Sequence, residues 1–262
     1  MTKNLEKEIY EYWQRQPCGG WHSDHPVGSK EYFLEVSEFR RRTINETESV
    51  SRDTFVNFEG WKNKRVLEIG CGIGTEAVRF AEGGAIYTGI DISDNAIEIA
   101  RHRFDLFNLP GTFKVLNGTE DLSYLGKFDL VYSCGVIHHW PDINKFVLNI
   151  HNLLEENGRF IFIVYAKPSW DYAMSKTGYS QYEAQNGCPY VDVYSEEEIR
   201  NFLGARFEIT DIVQQGCFMY NVDEYRKKNL VLEPWFEAMP EGMRETINRQ
   251  LGKYFYINAK KV

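Results

Sequence analysis

The chain has 262 residues, a net charge of −8 and 43% hydrophobic residues, an ordinary globular composition at a length that suits one α/β domain with insertions or at most two small domains. The acidic balance argues against a nucleic-acid partner, whose phosphates call for a basic surface. No apolar run has membrane-spanning length and the N-terminus lacks the apolar core of a signal peptide, so a cytoplasmic protein without membrane contact is expected.

In chain order, apolar residues Leu5, Ile9, Tyr12 and Trp13 mark one face of a helix to Arg15. An aperiodic loop follows from Pro17 to Gly28, dense in breakers, aromatics and imidazoles, and a loop of that length is usually functional. Helical patterning returns from Lys30 to about Phe58. Residues 1–60 are therefore expected to form a helical lid contacting the substrate, and 61–262 the main domain. There, apolar strands at Arg65–Ile69, Ile86–Asp91, Thr112–Leu116, Phe128–Cys134 and Arg159–Val164 alternate with helices at Thr75–Glu82, Asp94–Phe107 and from Asp142 to Leu154. Short strands without polar alternation suit a parallel sheet covered on both faces, hence a doubly wound, Rossmann-like fold with ligands at the carboxyl ends of the strands. Two insertions interrupt the rhythm, at about 165–194, rich in aromatics, and at about 217–252, mostly helical. A helix from Ser195 to Leu203 and strands at Phe207–Val213 and Tyr254–Lys260 complete a seven-stranded sheet.

The organising stretch is Glu68-Ile69-Gly70-Cys71-Gly72-Ile73-Gly74, in the first strand-to-helix turn. Alternate glycines let the backbone turn sharply and let a ligand approach, and the helix that follows aims free N–H groups at it. Asp91 closes the second strand where a carboxylate takes both hydroxyls of a ribose. Gly72-x-Gly74-x-x-Ala77 also fits a loose dinucleotide pattern, which keeps an NAD(P)-dependent oxidoreductase as the alternative. Against it, a negative Glu68 beside a pyrophosphate is unfavourable, whereas an ammonium-bearing cofactor without phosphate suits it. S-adenosyl-L-methionine is such a cofactor.

Glu68–Gly74, Gly89-Ile90-Asp91-Ile92-Ser93, Phe128–Ser133 and Gly135-Val136-Ile137-His138-His139-Trp140-Pro141-Asp142 together resemble a class I S-adenosylmethionine-dependent methyltransferase of the small-molecule branch that includes ubiquinone- and menaquinone-biosynthesis enzymes. Tyr12-Trp13-x4-Cys18-Gly19 and Glu31-Tyr32-Phe33 also resemble a bacterial subgroup of that superfamily. The resemblance implies that Glu68 and the backbone of Gly70, Cys71, Gly72 and Gly74 surround the methionine part of the cofactor. Asp91 would hold the ribose, Ile92 would flank the adenine, and Gly118, Thr119 and Glu120 would meet its edge. Ser133 falls within the matched motif of the fourth strand and joins this set. Gly118 departs from the Asp that relatives carry for the adenine amino group, and Glu120 or a backbone carbonyl is expected to substitute. Arg40 falls where relatives place a base that reaches the methionine carboxylate.

His138 and His139, just past the fourth strand, are the catalytic candidates, as general base or acceptor-orienting group. Tyr12, Trp13, Trp21, His22 and His25 from the N-terminal segment and Tyr165 and Trp170 from the first insertion are the expected acceptor contacts. Cys18, His22 and His25 lack a fourth ligand and a recognised metal spacing, and no metal is expected. The five cysteines, odd in number and without a CxxC pair, read as reduced thiols. The expected activity is methyl transfer to an oxygen, nitrogen or carbon of a small organic metabolite, specialised metabolism included. The other alternative is a non-catalytic cofactor-binding protein; a homodimer stays open.

Overall fold

The computed structural model describes residues 3–15, 17–47, 50–177 and 187–262. Seven strands, β1 (Arg65–Ile69), β2 (Ile86–Asp91), β3 (Thr112–Val115), β4 (Phe128–Cys134), β5 (Leu154–Tyr165), β6 (Phe207–Gln215) and β7 (Tyr254–Lys261), form one sheet in the order β3-β2-β1-β4-β5-β7-β6. The expected doubly wound, Rossmann-like seven-stranded sheet is therefore present. Its first five strands are parallel. One feature departs from a parallel reading: β7 runs antiparallel to both β5 and β6. The cause is local. The chain leaves β6 at Gly216 and returns to the same point, where Lys253 N–H donates to the Gly216 carbonyl at 2.7 Å, so the strand that follows must run back along the sheet.

Neighbouring residues on a strand feed opposite faces. Leu67 and Val131 join Phe146, Ile150 and Phe160 on one side of the sheet, while Val66 and Tyr132 join Phe80, Tyr87 and Phe104 on the other. The helices are α1 (Lys3–Arg15), α2 (Lys30–Thr47), α3 (Arg52–Val56), α4 (Thr75–Glu82), α5 (Asp94–Leu106), α6 (Ile143–Leu153), α7 (Trp170–Lys176), α8 (Glu196–Leu203), α9 (Val222–Arg226), α10 (Pro234–Glu237) and α11 (Glu241–Leu251). Ser93 and Asp142 cap α5 and α6, and Ser195 with Glu198 forms a reciprocal capping box on α8.

Three differences from the sequence reading go beyond a residue or two at an element's end. The helical stretch from Lys30 is two helices, because Ser51 caps a new one and Asn57 ends it with a left-handed φ of 52°. β5 begins at Leu154, opposite Phe128, before a bulge restores the register at Arg159. The second insertion holds three short helices and a bridge between Tyr220 and Leu232. Tyr179 and Tyr182 of the first insertion lie outside the described residues. No helix among the described residues is long and apolar enough to cross a membrane.

A buried ion cluster docks the N-terminal helices onto the sheet. Glu76, in the first turn of α4 and 5% exposed, accepts from Arg52 Nη1 at 3.0 Å and Arg40 Nε at 3.3 Å. The Arg52 guanidinium also donates to the Tyr256 hydroxyl on β7, at 2.7 Å from Nη2. Burial pushes the Glu76 carboxyl up, but Arg52 and Arg40 outweigh it and hold it below the usual carboxylate range. Such a group stabilises the fold above the ordinary carboxylate pKa and loses that contribution as pH falls through its lowered one. Glu76→Gln is therefore expected to cost about 3 kcal/mol in urea unfolding near neutral pH, because it leaves the buried Arg52 and the half-buried Arg40 short of a counter-charge. The gap between the variant and the wild type should narrow as unfolding is repeated toward about pH 4.

Candidate active site

The turn after β1 is held open by backbone geometry. Gly70 has a φ of 76° and packs so closely on Val136 that a Cβ would collide with both of its methyls. Gly72, with a φ of 51°, faces open space, where a Cβ would meet nothing within 4 Å. The N–H groups of Gly70 and Cys71 donate to the Ile90 carbonyl at 2.7 and 3.1 Å. Asp91 Oδ2 accepts from Gly72 N–H and Oδ1 from Ser93 N–H, both at 2.9 Å. Burial raises the Asp91 carboxyl above its ordinary range, and the Ser93 and Gly72 N–H groups hold that rise in check.

A cavity of about 450 Å³ opens at the carboxyl ends of the strands. The ends of β1 to β3 and their loops contribute Gly70, Gly72, Asp91, Ile92 and Gly118. Tyr12, Trp13, Trp21 and His22 come from the N-terminal segment, Arg40 from α2, His139 from the turn after β4 and Tyr165 from β5. The structure thus gathers twelve of the residues singled out from sequence around one space.

The others lie elsewhere. Glu68 is 2% exposed and accepts from the Tyr87 hydroxyl at 2.5 Å, facing away from the cavity. Burial pushes its carboxyl well above the usual range, only partly countered by that hydroxyl. Cys71 is buried beneath Gly89, and Gly74 caps α4 with its backbone in the left-handed region. The Ser133 hydroxyl donates to the Ile69 carbonyl at 3.1 Å and ties β4 to β1. Thr119 is buried and bonded to Asn117 Oδ1, while Glu120 is exposed. At Gly118 a Cβ would strike Ile69 and Phe146 at 2.9 Å, a steric reason for glycine there. His25 is exposed, and Trp170 packs on Trp235 with ring centroids 5.5 Å apart. Neither lines the cavity.

The two histidines divide. His138 is fully buried against Tyr165, at 4.2 Å between ring centroids, and does not line the cavity. Burial, then His139 and Lys253, push its pKa well down, so it is a neutral packing residue. His139 lines the cavity, and its Nδ1 lies 2.9 Å from the Tyr190 carbonyl. A carbonyl only accepts, so Nδ1 carries the proton and Nε2 keeps a bare lone pair. That Nε2 is buried and has no hydrogen-bond partner. Burial lowers the His139 pKa to about 4, against a smaller upward pull from the Tyr190 carbonyl. The Trp13 ring stands edge-on to it at 5.0 Å.

Sequence reasoning missed Arg52, Phe218, Tyr225, Lys253 and Tyr254, which also line the cavity. Arg52 directly follows the cap Ser51, which is a readable signal; Lys253 and Tyr254 carry none beyond adjacency to the last strand.

A family profile described as a methyltransferase domain matches residues 67–160, the run that builds the cradle, Asp91 and the histidine turn. Among curated proteins, the chain is 29% identical over 163 residues to a fatty-acid O-methyltransferase of Mycolicibacterium smegmatis, covering 60% of this chain and 56% of that one. It is 30% identical over 105 residues to a ubiquinone biosynthesis O-methyltransferase of Coxiella burnetii, covering 38% of this chain and 43% of that one. The chain thus spans about half the length of these two relatives. Among solved structures, magnesium protoporphyrin IX methyltransferase of Synechocystis PCC 6803 with bound S-adenosylhomocysteine superposes with a TM-score of 0.62 at 15% identity, over 98% of this chain and 100% of that one. At that identity the likeness speaks for the fold. Strand order, glycine turn and matched segment agree: the sheet has the class I methyltransferase fold, and residues 67–160 match a methyltransferase domain, which supports S-adenosyl-L-methionine as cofactor.

Proposed function

We propose that the protein transfers the S-adenosylmethionine methyl group to a hydroxyl oxygen of a small, largely apolar organic molecule. The observation that carries this is the His139 Nε2 lone pair, buried, unpartnered and set in the wall of the cavity. A bare lone pair accepts from an O–H or N–H group and repels another lone pair. The names of the two curated relatives, both O-methyltransferases, favour oxygen. A carboxylate acceptor would suit the cations Arg40, Arg52 and Lys253 in the wall, but it would turn its own lone pairs on Nε2.

The residues fit the cofactor at its ribose and backbone contacts. Each Asp91 oxygen spends one lone pair on a backbone N–H and retains another for a ribose hydroxyl. The open side of Gly72 leaves room for the methionine part, Ile92 flanks the adenine, and Arg40 reaches the methionine carboxylate. Bound there, the cofactor supplies a methyl already activated on a sulfonium. Trp13, Tyr12 and Trp21 close the acceptor side as a lid and exclude water. His139 Nε2 orients the acceptor hydroxyl and receives its proton.

Asp91→Ala is expected to weaken S-adenosylmethionine binding by about 1–3 kcal/mol in calorimetry, the value of a buried hydrogen-bonded group left without its partner. Unchanged affinity would remove the ribose assignment. His139→Ala should keep the cofactor affinity and lower kcat by about a hundredfold. Because His139 protonates only near pH 4, kcat should show no ionisation of this group between about pH 5 and 8. Full turnover in the variant would sink the role of His139.

A further inference from the structure

Lys253 reaches the cavity wall from a joint that leaves its backbone no freedom. Its N–H donates to the Gly216 carbonyl and its own carbonyl accepts from Ala166 N–H, both at 2.7 Å, which clamps it between the ends of β6 and β5. The preceding Gly252 lies so close to the Gln215 and Asn248 backbones that a Cβ would overlap both. Tyr165 and Tyr254 face each other across β5 and β7, stacked at 5.6 Å with planes 27° apart. The Lys253 ammonium lies 5.4 Å from the first ring centroid and 5.1 Å from the second, within cation–π reach of both. Tyr165 is in turn 4.2 Å from the ring of His138 and 6.4 Å from that of His139. One aromatic ring therefore separates a fixed positive charge from the imidazole that faces the acceptor.

Lys253 also faces the buried Asp171 carboxyl on α7, which burial pushes up against the downward pull of the lysine charge, and the remaining charged groups lie in the wall itself. Arg40 and Arg52 share Glu76, and the Asp91 oxygens hold the glycine turn. We propose that Lys253 is a specificity-determining residue, which favours an acceptor oxygen as it becomes negative and repels a protonated amine. The proposal rests on the oxygen-methylation reading above. As the hydroxyl proton passes to His139 Nε2, the oxygen bonds the methyl carbon, the S–CH3 bond breaks and its electron pair stays on sulfur. The charge that develops on that oxygen is attracted through space by the ammonium beyond the Tyr165 ring, an attraction that strengthens away from bulk water.

The test uses the full chain loaded with S-adenosylhomocysteine, with para-nitrophenol as probe because its phenolate absorbs visible light. Wild type should bind the probe and ionise it at a lower pH than free solution does. Lys253→Met should raise the apparent pKa of the bound probe by about one unit, and Lys253→Arg should restore it. para-Nitrobenzylamine, the matching cation, should bind the Met variant about tenfold more tightly than wild type. An identical probe titration in wild type and Lys253→Met overturns the proposal, as does failure of the cofactor-loaded wild type to bind nitrophenol. Failure of wild type to bind S-adenosylhomocysteine in calorimetry would instead remove the methyl-transfer reading beneath it.

Discussion

Two hydrogen bonds to one carboxylate set the shape of this site. Asp91 stands at the end of β2 and draws Gly72 N–H from the neighbouring turn and Ser93 N–H from its own, each at 2.9 Å. The Ile90 carbonyl takes Gly70 and Cys71 N–H beside it. The ligand-facing backbone is thus oriented by the protein itself, with little entropy left to lose when a ligand arrives. Positive φ at Gly70 and Gly72 is the local condition for that path, and only glycine adopts it without strain. From this knot the helix α4 departs in the direction that brings Glu76 under Arg40 and Arg52, so the cradle and the docking of the N-terminal helices are one construction.

Glu68 and Asp91, in adjacent parallel strands, show how environment divides like residues. Asp91 has two backbone donors and a cavity before it, and burial raises its carboxyl only against their resistance. Glu68 has one tyrosine hydroxyl and a packed interior, and its carboxyl is driven far up. Desolvation wins where donors are few. Glu68 is bonded to Tyr87 and does not line the cavity, so the reading that set its charge beside an ammonium group has no geometry behind it. The matched methyltransferase domain carries the choice of cofactor independently.

What the sequence showed best was whatever depends on neighbours along the chain. β1, β2 and β4 lie where their apolar runs and flanking turns placed them, and the capping box of α8 stands on Ser195 and Glu198. The direction of β7 was not visible, because it depends on a contact between Gly216 and Lys253 across the whole second insertion. The cavity follows the same rule. Gly70, Gly72, Asp91 and Ile92 sit on consecutive strand ends and were readable; Trp13, on the apolar face of the first helix, and Trp170, in the first insertion, are both aromatics, yet only Trp13 faces the cavity. Its partner His139 is far away in sequence, and no local pattern announces the pairing.

The two walls therefore answer to different constraints. The cofactor wall is built by the sheet and its first turns, where a change of one glycine breaks a backbone path. The opposite wall, the proposed acceptor side, is assembled from segments that touch through side chains and one backbone carbonyl: Trp21 against Phe39 and Tyr225, Trp13 against His139, and the Tyr190 carbonyl against His139 Nδ1. The tautomer of His139 depends on the Tyr190 carbonyl, delivered by the last part of the first insertion, with Cys188 Sγ 3.4 Å from the same Nδ1. A change in that segment's path would free Nδ1 and move the lone pair without altering the residue itself. The chemistry of the acceptor wall thus depends on how the insertion is seated as much as on which side chains line it.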